Sequence, residues 1–232
     1  MLNKLLRFNS SRYRLDLENA QFADAIPSGA LVLDAGCGEA PYRHLFAHTR
    51  YESADFMKSD RMYNSEITYI CDLAKIPVKR ARFDYIICNQ VLEHIPEPGA
   101  VMEELYRVLK PGGKILFTAP LFYQEHEKPY DFFRYTQFGW KKLLGDAGFQ
   151  EERIEPLEGF FGLCGYFLEI IYYYLPFDRK KIPGKTGAAL RGVFRIIHPL
   201  VGLTAVFFHR IEKRRKVIVD IGAKNYVVVA SK

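Results

Sequence analysis

The segment from Leu31 to Ala40 reads LVLDAGCGEA, and its residue types suit ligand binding. Three branched apolar residues predict a buried strand, which ends at an acid, Asp34. Gly36 and Gly38 follow one residue apart, so the backbone can turn tightly and approach a ligand where a Cβ would block it. Pro41 suits the first turn of a following helix, since its missing N–H needs no partner there. A strand, a glycine turn and a helix start together predict a nucleotide-binding corner.

Polar residues at further strand ends support this interpretation. Asp55 lies 21 residues after Asp34, and a carboxylate about 20 residues beyond a glycine turn can bond ribose hydroxyls. The alternative for Asp55 is a solvated loop acid. Apolar runs at 67–73, 83–89 and 114–119 predict further strands, and their alternation with helix-like stretches predicts a parallel sheet covered on both faces. The residues at the carboxyl ends, where such sheets bind ligands, are Asp34, Asp55, Asp72 and Asn89.

The glycine pattern distinguishes between nucleotide-binding families. The dinucleotide fingerprint G-x-G-x-x-G fails, because Pro41 occupies its third glycine position. The pattern resembles motif I of the class I S-adenosylmethionine-dependent methyltransferases, which usually carry a further glycine where this chain has Ala40. Further segments resemble later motifs of that family, namely Gln90–Ile95 and the string LKPGGKILFTAP at Leu109–Pro120. The resemblance is to the type 11-like enzymes that methylate quinones and other small molecules, and it covers about residues 30–150.

This resemblance implies a fold and a cofactor. The fold is a doubly wound, mostly parallel, seven-stranded α/β sheet of the Rossmann-like kind, with the seventh strand inserted antiparallel beside the fifth. Residues 149–157 and 226–230 are the expected sixth and seventh strands. The cofactor is S-adenosylmethionine, with Asp72 and Leu73 facing its adenine. The residues expected to hold the cofactor are Asp34, Gly36, Gly38, Asp55, Asp72, Leu73 and Asn89.

Two histidines are candidate general bases, since methyl transfer to oxygen usually requires proton removal and histidine titrates near neutral pH. His94 follows the fourth strand, where the substrate pocket of the family opens; its alternative role is a structural cap. His126 is the first choice and lies in a loop rich in aromatic and charged side chains. The stretch from His126 to Thr136 resembles one in bacterial methyltransferases of surface-polysaccharide biosynthesis. That likeness implies an acceptor site shaped by Tyr130, Asp131 and Arg134, although an ion pair between Asp131 and Arg134 is the alternative.

An apolar and basic segment separates the expected sixth and seventh strands. Gly159–Phe177 and Val193–Phe208 are apolar on nearly all sides, and residues 178–216 carry eleven Lys or Arg against two acids, whereas the whole chain has a net charge of +6. Three interpretations remain open: helices on the sheet, a homodimer face, or contact of residues 159–216 with an anionic membrane. The predicted organisation is a helical cap (1–29), a cofactor-binding core (30–157), a helical insertion (158–216) and a final strand segment (217–232).

Composition and cysteine spacing indicate one globular domain without a disulfide framework. A chain of 232 residues that is 49% hydrophobic can form one large α/β domain. The four cysteines, at 37, 71, 88 and 164, form no C-x-x-C pair, and His44 and His48 have no third ligand nearby, so neither a metal site nor a disulfide framework is expected. Since the N-terminal residues lack an apolar run typical of a signal peptide, we expect a cytoplasmic protein. The membrane interpretation of residues 159–216 would place it peripherally at the cytoplasmic face of the membrane.

The sequence therefore predicts S-adenosylmethionine-dependent methyl transfer, assisted by a histidine base, to a small-molecule or lipid-linked acceptor such as a cell-envelope or polysaccharide precursor. An RNA methyltransferase that uses the basic residues 210–216 is the main alternative, although nucleic acid is the less expected partner. A non-catalytic cofactor-binding module, in which Ala40 marks a degraded site, is another. A nucleotide-sugar oxidoreductase fits the glycine pattern poorly.

Overall fold

The computed structural model describes residues 9–56, 66–174, 183–220 and 222–232. The chain divides into two compact units. We call Leu15–Leu157 with Lys224–Lys232 the sheet unit, and Met1–Arg14 with Glu158–Ala223 the helical unit. These units cut across the predicted organisation, because the predicted cap (1–29) and final segment (217–232) each contribute residues to both. Residues 1–8 of that cap and 175–182 of the predicted insertion lie outside the described residues.

Seven strands form one sheet in the order β3-β2-β1-β4-β5-β7-β6. Neighbours from β3 to β5 pair in parallel, and β7 pairs antiparallel with both β5 and β6. The predicted fold class and the position of the seventh strand beside the fifth are therefore confirmed. The strands are β1 (Leu31–Ala35), β2 (Arg50–Asp55), β3 (Tyr69–Ile70), β4 (Phe83–Asn89), β5 (Leu109–Pro120), β6 (Gln150–Pro156) and β7 (Asn225–Ser231).

The centre of the sheet is buried on both faces, as expected for strands that read as continuous apolar runs. Every residue of β1 is buried, and neighbouring strands contribute Val32, Ile87, Leu116 and Val227 to one core cluster. In the part of the chain that the structure describes, the α-helices with sheet-unit residues are α1 (Ser10–Asp24), α2 (Pro98–Val108) and α3 (Gln137–Ala147). The α3 helix starts where the Thr136 hydroxyl accepts a hydrogen bond from Gly139 N and ends at Gly148 in a left-handed conformation.

Some local expectations differ from the structure. The fifth strand, expected over residues 114–119, begins earlier and spans Leu109–Pro120. The third strand, expected over residues 67–73, is only Tyr69–Ile70, because just these two residues pair with β2 at the edge of the sheet. The chain then turns at Asp72, whose carboxylate accepts a hydrogen bond from Ala74 N at 2.9 Å. The helix expected after Pro41 is a short 3₁₀ turn over Arg43–Phe46.

The helical unit contains α4 (Phe160–Tyr174) and α5 (Gly184–Arg214), which pack against each other. Tyr172 stacks on His198 with ring centroids 4.0 Å apart. The buried Glu212 carboxylate accepts hydrogen bonds from Gly159 N at 2.9 Å and Gly162 N at 3.1 Å. It also lies 3.2 Å from the guanidinium of Arg14. Where the structure describes them, the apolar runs of the insertion are therefore helical, and buried polar contacts hold the two helices and residue Arg14 together.

One face of α5 is an exposed apolar stripe, which we define as Leu190, Val193, Ile196, Leu200, Leu203 and Phe207. Its members recur every three or four residues, so they lie along one side of the helix. Among the described residues, one helix, Gly187–Arg214, is long and apolar enough to cross a membrane by length and composition. Arginine follows the stripe at positions 210 and 214 and lies beside it at 195.

Candidate functional site

The glycine turn after β1 is tied to the neighbouring strand and to the segment after β4. Gly36 N and Cys37 N both donate to the carbonyl oxygen of Ala54, at 2.8 and 3.2 Å. Gly36 has φ of +76°, and a Cβ placed on it would lie 2.4 Å from Cγ2 of Val91. Only glycine fits this position without a shift of its neighbours. The turn therefore lies directly beside the residues that follow β4.

Gly38 and Asp55 have the geometry that a bound nucleoside needs. Gly38 has φ of +52°, and a Cβ added to it would meet no atom of the described residues within 4 Å. Its N–H donates to Asp55 Oδ2 at 2.9 Å, which holds the Asp55 carboxylate at the rim of this open space. A bare backbone beside a carboxylate at the second strand end suits a ribose with two hydroxyls. These residues fit S-adenosylmethionine.

Asp34 and Ala40 lie on either side of the two glycines of the turn. Ala40 has φ of +50°, a conformation that glycine adopts more easily. The methyltransferases that the motif resembles usually have glycine at this position. Asp34 is only 3% exposed and accepts a short hydrogen bond from the Tyr51 hydroxyl. Burial raises the pKa of Asp34 to about 7. The Asp34 side chain therefore supports the turn, and its role as a direct cofactor ligand stays a prediction.

The remaining predicted cofactor residues lie at the same edge of the sheet. Asp72 is exposed just after β3, while Leu73 is 4% exposed and packs inward. The side-chain amide of Asn89 donates to Asn19 Oδ1 at 2.9 Å, and its oxygen accepts from Thr118 Oγ1 at 3.0 Å. These bonds fix the end of β4. Contacts of Asp72, Leu73 and Asn89 with a cofactor stay predictions.

A second group of polar side chains follows β4, where Leu92–His94 form a 3₁₀ turn. Glu93 is fully buried, and neither of its carboxylate oxygens has a hydrogen-bond partner among the described residues. Burial raises the pKa of Glu93 to about 8. The preceding Gln90 has φ of +55° and a buried side-chain nitrogen. Neither residue is among the site residues predicted from the sequence, although an acid within the apolar run of Gln90–Ile95 is a signal for Glu93.

The two predicted bases, His94 and His126, lie together although they are far apart in the chain. Their ring centroids are 4.7 Å apart and the rings are nearly perpendicular. His94 Nδ1 lies 2.6 Å from the carbonyl oxygen of Tyr130, so Nδ1 is the donor and Nε2 is left as an acceptor. Burial, with His94 as a second cause, lowers the pKa of His126 below its usual 6.5. The lowered pKa favours the neutral form of the His126 ring, which can accept a proton.

The loop between β5 and α3 holds these histidines in place. Arg134 binds Asp131 through two nitrogens, at 2.6 and 2.7 Å, and donates to the carbonyls of Tyr123 and Gln124. Asp131 also accepts from His126 N at 2.9 Å, and Arg134 lowers the pKa of Asp131. The ion pair considered as an alternative is present. In the structure, Asp131 and Arg134 brace the loop and Tyr130 braces His94, and their contact with an acceptor stays a prediction.

Comparisons with known proteins agree with this geometry. A methyltransferase-domain family profile matches residues 7–152. The chain is 25% identical over 163 residues to a tRNA (carboxymethyluridine(34)-5-O)-methyltransferase of Macaca fascicularis, covering 65% of this chain and 24% of the relative. It is 34% identical over 101 residues to a ubiquinone biosynthesis O-methyltransferase of Coxiella burnetii, covering 39% of this chain and 43% of the relative. The chain thus spans less than half the length of either relative.

Solved structures show the same fold. A phosphoethanolamine N-methyltransferase 2 of Haemonchus contortus, in complex with phosphomonomethylethanolamine and S-adenosylhomocysteine, superposes with a TM-score of 0.55 at 17% identity, covering 94% of this chain and 52% of that one. The family match extends over more than half of the chain, and the fold agrees with it. This chain belongs to the methyltransferase-domain family of class I S-adenosylmethionine-dependent methyltransferases, whose cofactor is S-adenosylmethionine.

Proposed function

We propose that this protein transfers a methyl group from S-adenosylmethionine to an oxygen of a small-molecule or lipid-linked acceptor. The observation that carries the proposal is the contact of the glycine turn with the segment bearing His94, because Gly36 packs directly on Val91 and the His94 ring contacts that of His126. Cofactor cradle and histidine pair then share one edge of the sheet. When bound, S-adenosylmethionine supplies an activated methyl group, so the protein has mainly to hold donor and acceptor in line.

The histidines supply the proton acceptor in this proposal. His126 is the first candidate, because the lowered pKa keeps its ring neutral and the Asp131–Arg134 pair holds its backbone. His94 is the second, because Tyr130 fixes its tautomer with Nε2 as the acceptor. Either ring would take the acceptor hydroxyl proton as the oxygen is methylated.

Two relatives point to different acceptors. The relative named as a ubiquinone biosynthesis O-methyltransferase supports oxygen methylation of a small molecule. The relative named as a tRNA methyltransferase supports RNA as the alternative. We favour the small or lipid-linked acceptor because the exposed surface of α5 is an apolar stripe, which suits a lipid environment better than a phosphate backbone.

Methyl-labelled S-adenosylmethionine and cell extract test the activity. The extract is separated into lipid, aqueous small-molecule, polysaccharide and RNA fractions after incubation with wild type, Asp55→Ala or Asp146→Ala, which changes an exposed acid on α3. We expect label in a lipid, small-molecule or polysaccharide fraction with wild type and Asp146→Ala, and much less with Asp55→Ala. Calorimetry should show several-fold weaker cofactor binding by Asp55→Ala, because ribose hydroxyls lose their acceptor. Label only in RNA would favour the alternative acceptor, and none anywhere would refute the proposed transfer.

The apolar stripe supports a further part of the proposal, peripheral contact with the cytoplasmic face of an anionic membrane. Ile196 is 71% exposed and Leu200 58% exposed, which is costly in water and favourable at a lipid interface. Arg195, Arg210 and Arg214 lie where they could meet anionic headgroups.

Vesicle flotation tests this contact with a matched pair of variants. Ile196→Asp places a charge on the stripe, whereas Phe138→Asp changes an apolar residue on α3 that is also 71% exposed. We expect wild type and Phe138→Asp to float with phosphatidylglycerol vesicles and Ile196→Asp to stay behind. If wild type fails to float, membrane contact is refuted, and a dimer in sedimentation that Ile196→Asp dissociates would assign the stripe to a homodimer instead.

A further inference from the structure

One carboxylate and two imidazoles meet just after the end of β4. They belong to Glu93, His94 and His126. One ligand atom from each residue lies within 4.8 Å of the other two, and His94 Nε2 is 3.8 Å from Glu93 Oε1. We propose that these three side chains bind a divalent transition-metal cation. Two histidines and a carboxylate are a ligand set that suits zinc or iron(II).

The buried carboxylate is the first argument for a cation. Glu93 is fully buried, and neither carboxylate oxygen has a hydrogen-bond partner within the described part of the chain. A buried polar group without a partner is costly, and buried carboxylates are normally paired or bound to a metal. Since the backbone carbonyl of Glu93 is held by Phe132 N at 2.8 Å, the side chain is anchored in this environment. A cation would supply the missing partner.

His94 is held as metal ligands usually are. A ligating histidine normally gives its second nitrogen to a backbone carbonyl or a carboxylate. His94 does so through Nδ1 and the carbonyl of Tyr130 at 2.6 Å, which leaves Nε2 facing Glu93. His126 Nδ1 lies 3.3 Å from the carboxylate of Asp131, which Arg134 binds, but this nitrogen makes no hydrogen bond within the described part of the chain.

The separations are close to those of a bound ion. Ligand atoms about 2.0–2.2 Å from one ion cannot be more than about 4.4 Å apart. The 3.8 Å between His94 and Glu93 is within that limit, and the full cluster reaches it with side-chain adjustments of a few tenths of an ångström. Three protein ligands leave a coordination position open.

The open position gives the cation a role that rests on the proposed function. An acceptor oxygen bound there would ionise more readily, with its proton released to solvent. His94 and His126 would then act as ligands rather than as bases. This assignment departs from the expectation of no metal site, which considered only cysteines and the His44–His48 pair.

The test measures metal binding without any methyl acceptor. Full-length protein is stripped with chelator and titrated with Zn²⁺ by calorimetry and with Co²⁺ by visible absorption, which reports on coordination. We compare wild type with Glu93→Gln, His126→Ala and the control His44→Ala, an exposed histidine outside the cluster. We expect one equivalent to bind wild type and His44→Ala, with at least tenfold weaker binding by the two cluster variants.

Cofactor binding by the same stripped proteins checks that each variant is folded. If wild type binds no stoichiometric Zn²⁺ or Co²⁺, or if the cluster variants bind it as wild type does, the metal site is refuted. Methyl transfer that persists in chelator with no metal binding would refute the metal site and leave the proposed function standing. Metal binding without methyl transfer to any fraction would leave the site standing and refute the proposed function.

Discussion

The two glycines of the turn should respond differently to the same added methyl group. Alanine at Gly38 meets no atom of the described residues within 4 Å, so we expect its cost to folding to come from the left-handed backbone, about 1 kcal/mol. Alanine at Gly36 carries the same strain and also places its Cβ 2.4 and 2.7 Å from the two γ-carbons of Val91. Overpacking of this kind costs about 1–3 kcal/mol more. Gly36→Ala should therefore lose about 2–4 kcal/mol of unfolding free energy.

Gly38→Ala should also weaken the binding of S-adenosylmethionine. The methyl of Gly38→Ala enters the open space beside Asp55, where we expect the nucleoside, so binding should weaken at least tenfold, about 1.4 kcal/mol. Urea unfolding without ligand and titration calorimetry with S-adenosylmethionine measure the two effects separately. Wild-type affinity in Gly38→Ala would refute the placement of the cofactor at this turn. Equal stabilities of the two variants would refute the packing of Gly36 on Val91.

Two further predictions concern buried carboxylates. Because burial raises the pKa of Asp34 from 3.8 to about 7, its contribution to stability is full below pH 3.8 and is lost as the pH rises through 7. Asp34→Asn should lack this loss. Between pH 3.5 and pH 7.5, the unfolding free energy of Asp34→Asn minus that of wild type should therefore increase by about 3–4 kcal/mol, as measured by urea titrations. Glu212→Ala should cost about 3 kcal/mol, since it leaves Arg14 and two backbone N–H groups without their buried acceptor; thermal unfolding measures this.

Each of these predictions has a matched control. Asp84→Asn alters an acid whose pKa is lowered by its contacts with Lys110 and Leu31 N, so its stability difference from wild type should change in the opposite direction with pH. A parallel response of the two variants would contradict the assignment of a raised pKa to Asp34. Glu155→Ala removes a carboxylate that is 52% exposed and 3.8 Å from Arg153, and should cost less than about 0.5 kcal/mol. An equal cost for Glu212→Ala would mean that its buried contacts contribute nothing.

The strands and the cofactor turn can be predicted because their signals are local. Phe83–Asn89 has the bounds that the sequence predicts, since a parallel strand buried on both faces is an apolar run that ends at a polar residue. The predicted third strand is too long, because its length depends on how many of its residues find a partner at the sheet edge. That number is a property of the pairing and is not visible in residues 67–73 alone.

The histidine cluster shows what local patterns miss. His94 and His126 are both predicted site residues, but their contact depends on a loop that returns to the end of β4 after 36 residues. The burial of Glu93 depends on the same loop. The spacing of Asp131 and Arg134 is compatible with two roles: the side chains could bind a substrate, or they could form an ion pair with each other. Only the fold distinguishes these roles.

The order of the last strands has a consequence for engineering. β6 and β7 are antiparallel neighbours, and Pro156 at the end of one pairs with Tyr226 at the start of the other. In topology they are the two arms of a β-hairpin, and residues 158–223 are its loop. The cost of closing a loop rises only slowly with its length, by about 0.6 kcal/mol for each doubling. Chain length can therefore change at this point with little effect on strand register, and a two-residue Asn-Gly turn in place of residues 158–223 defines a minimal form of the sheet.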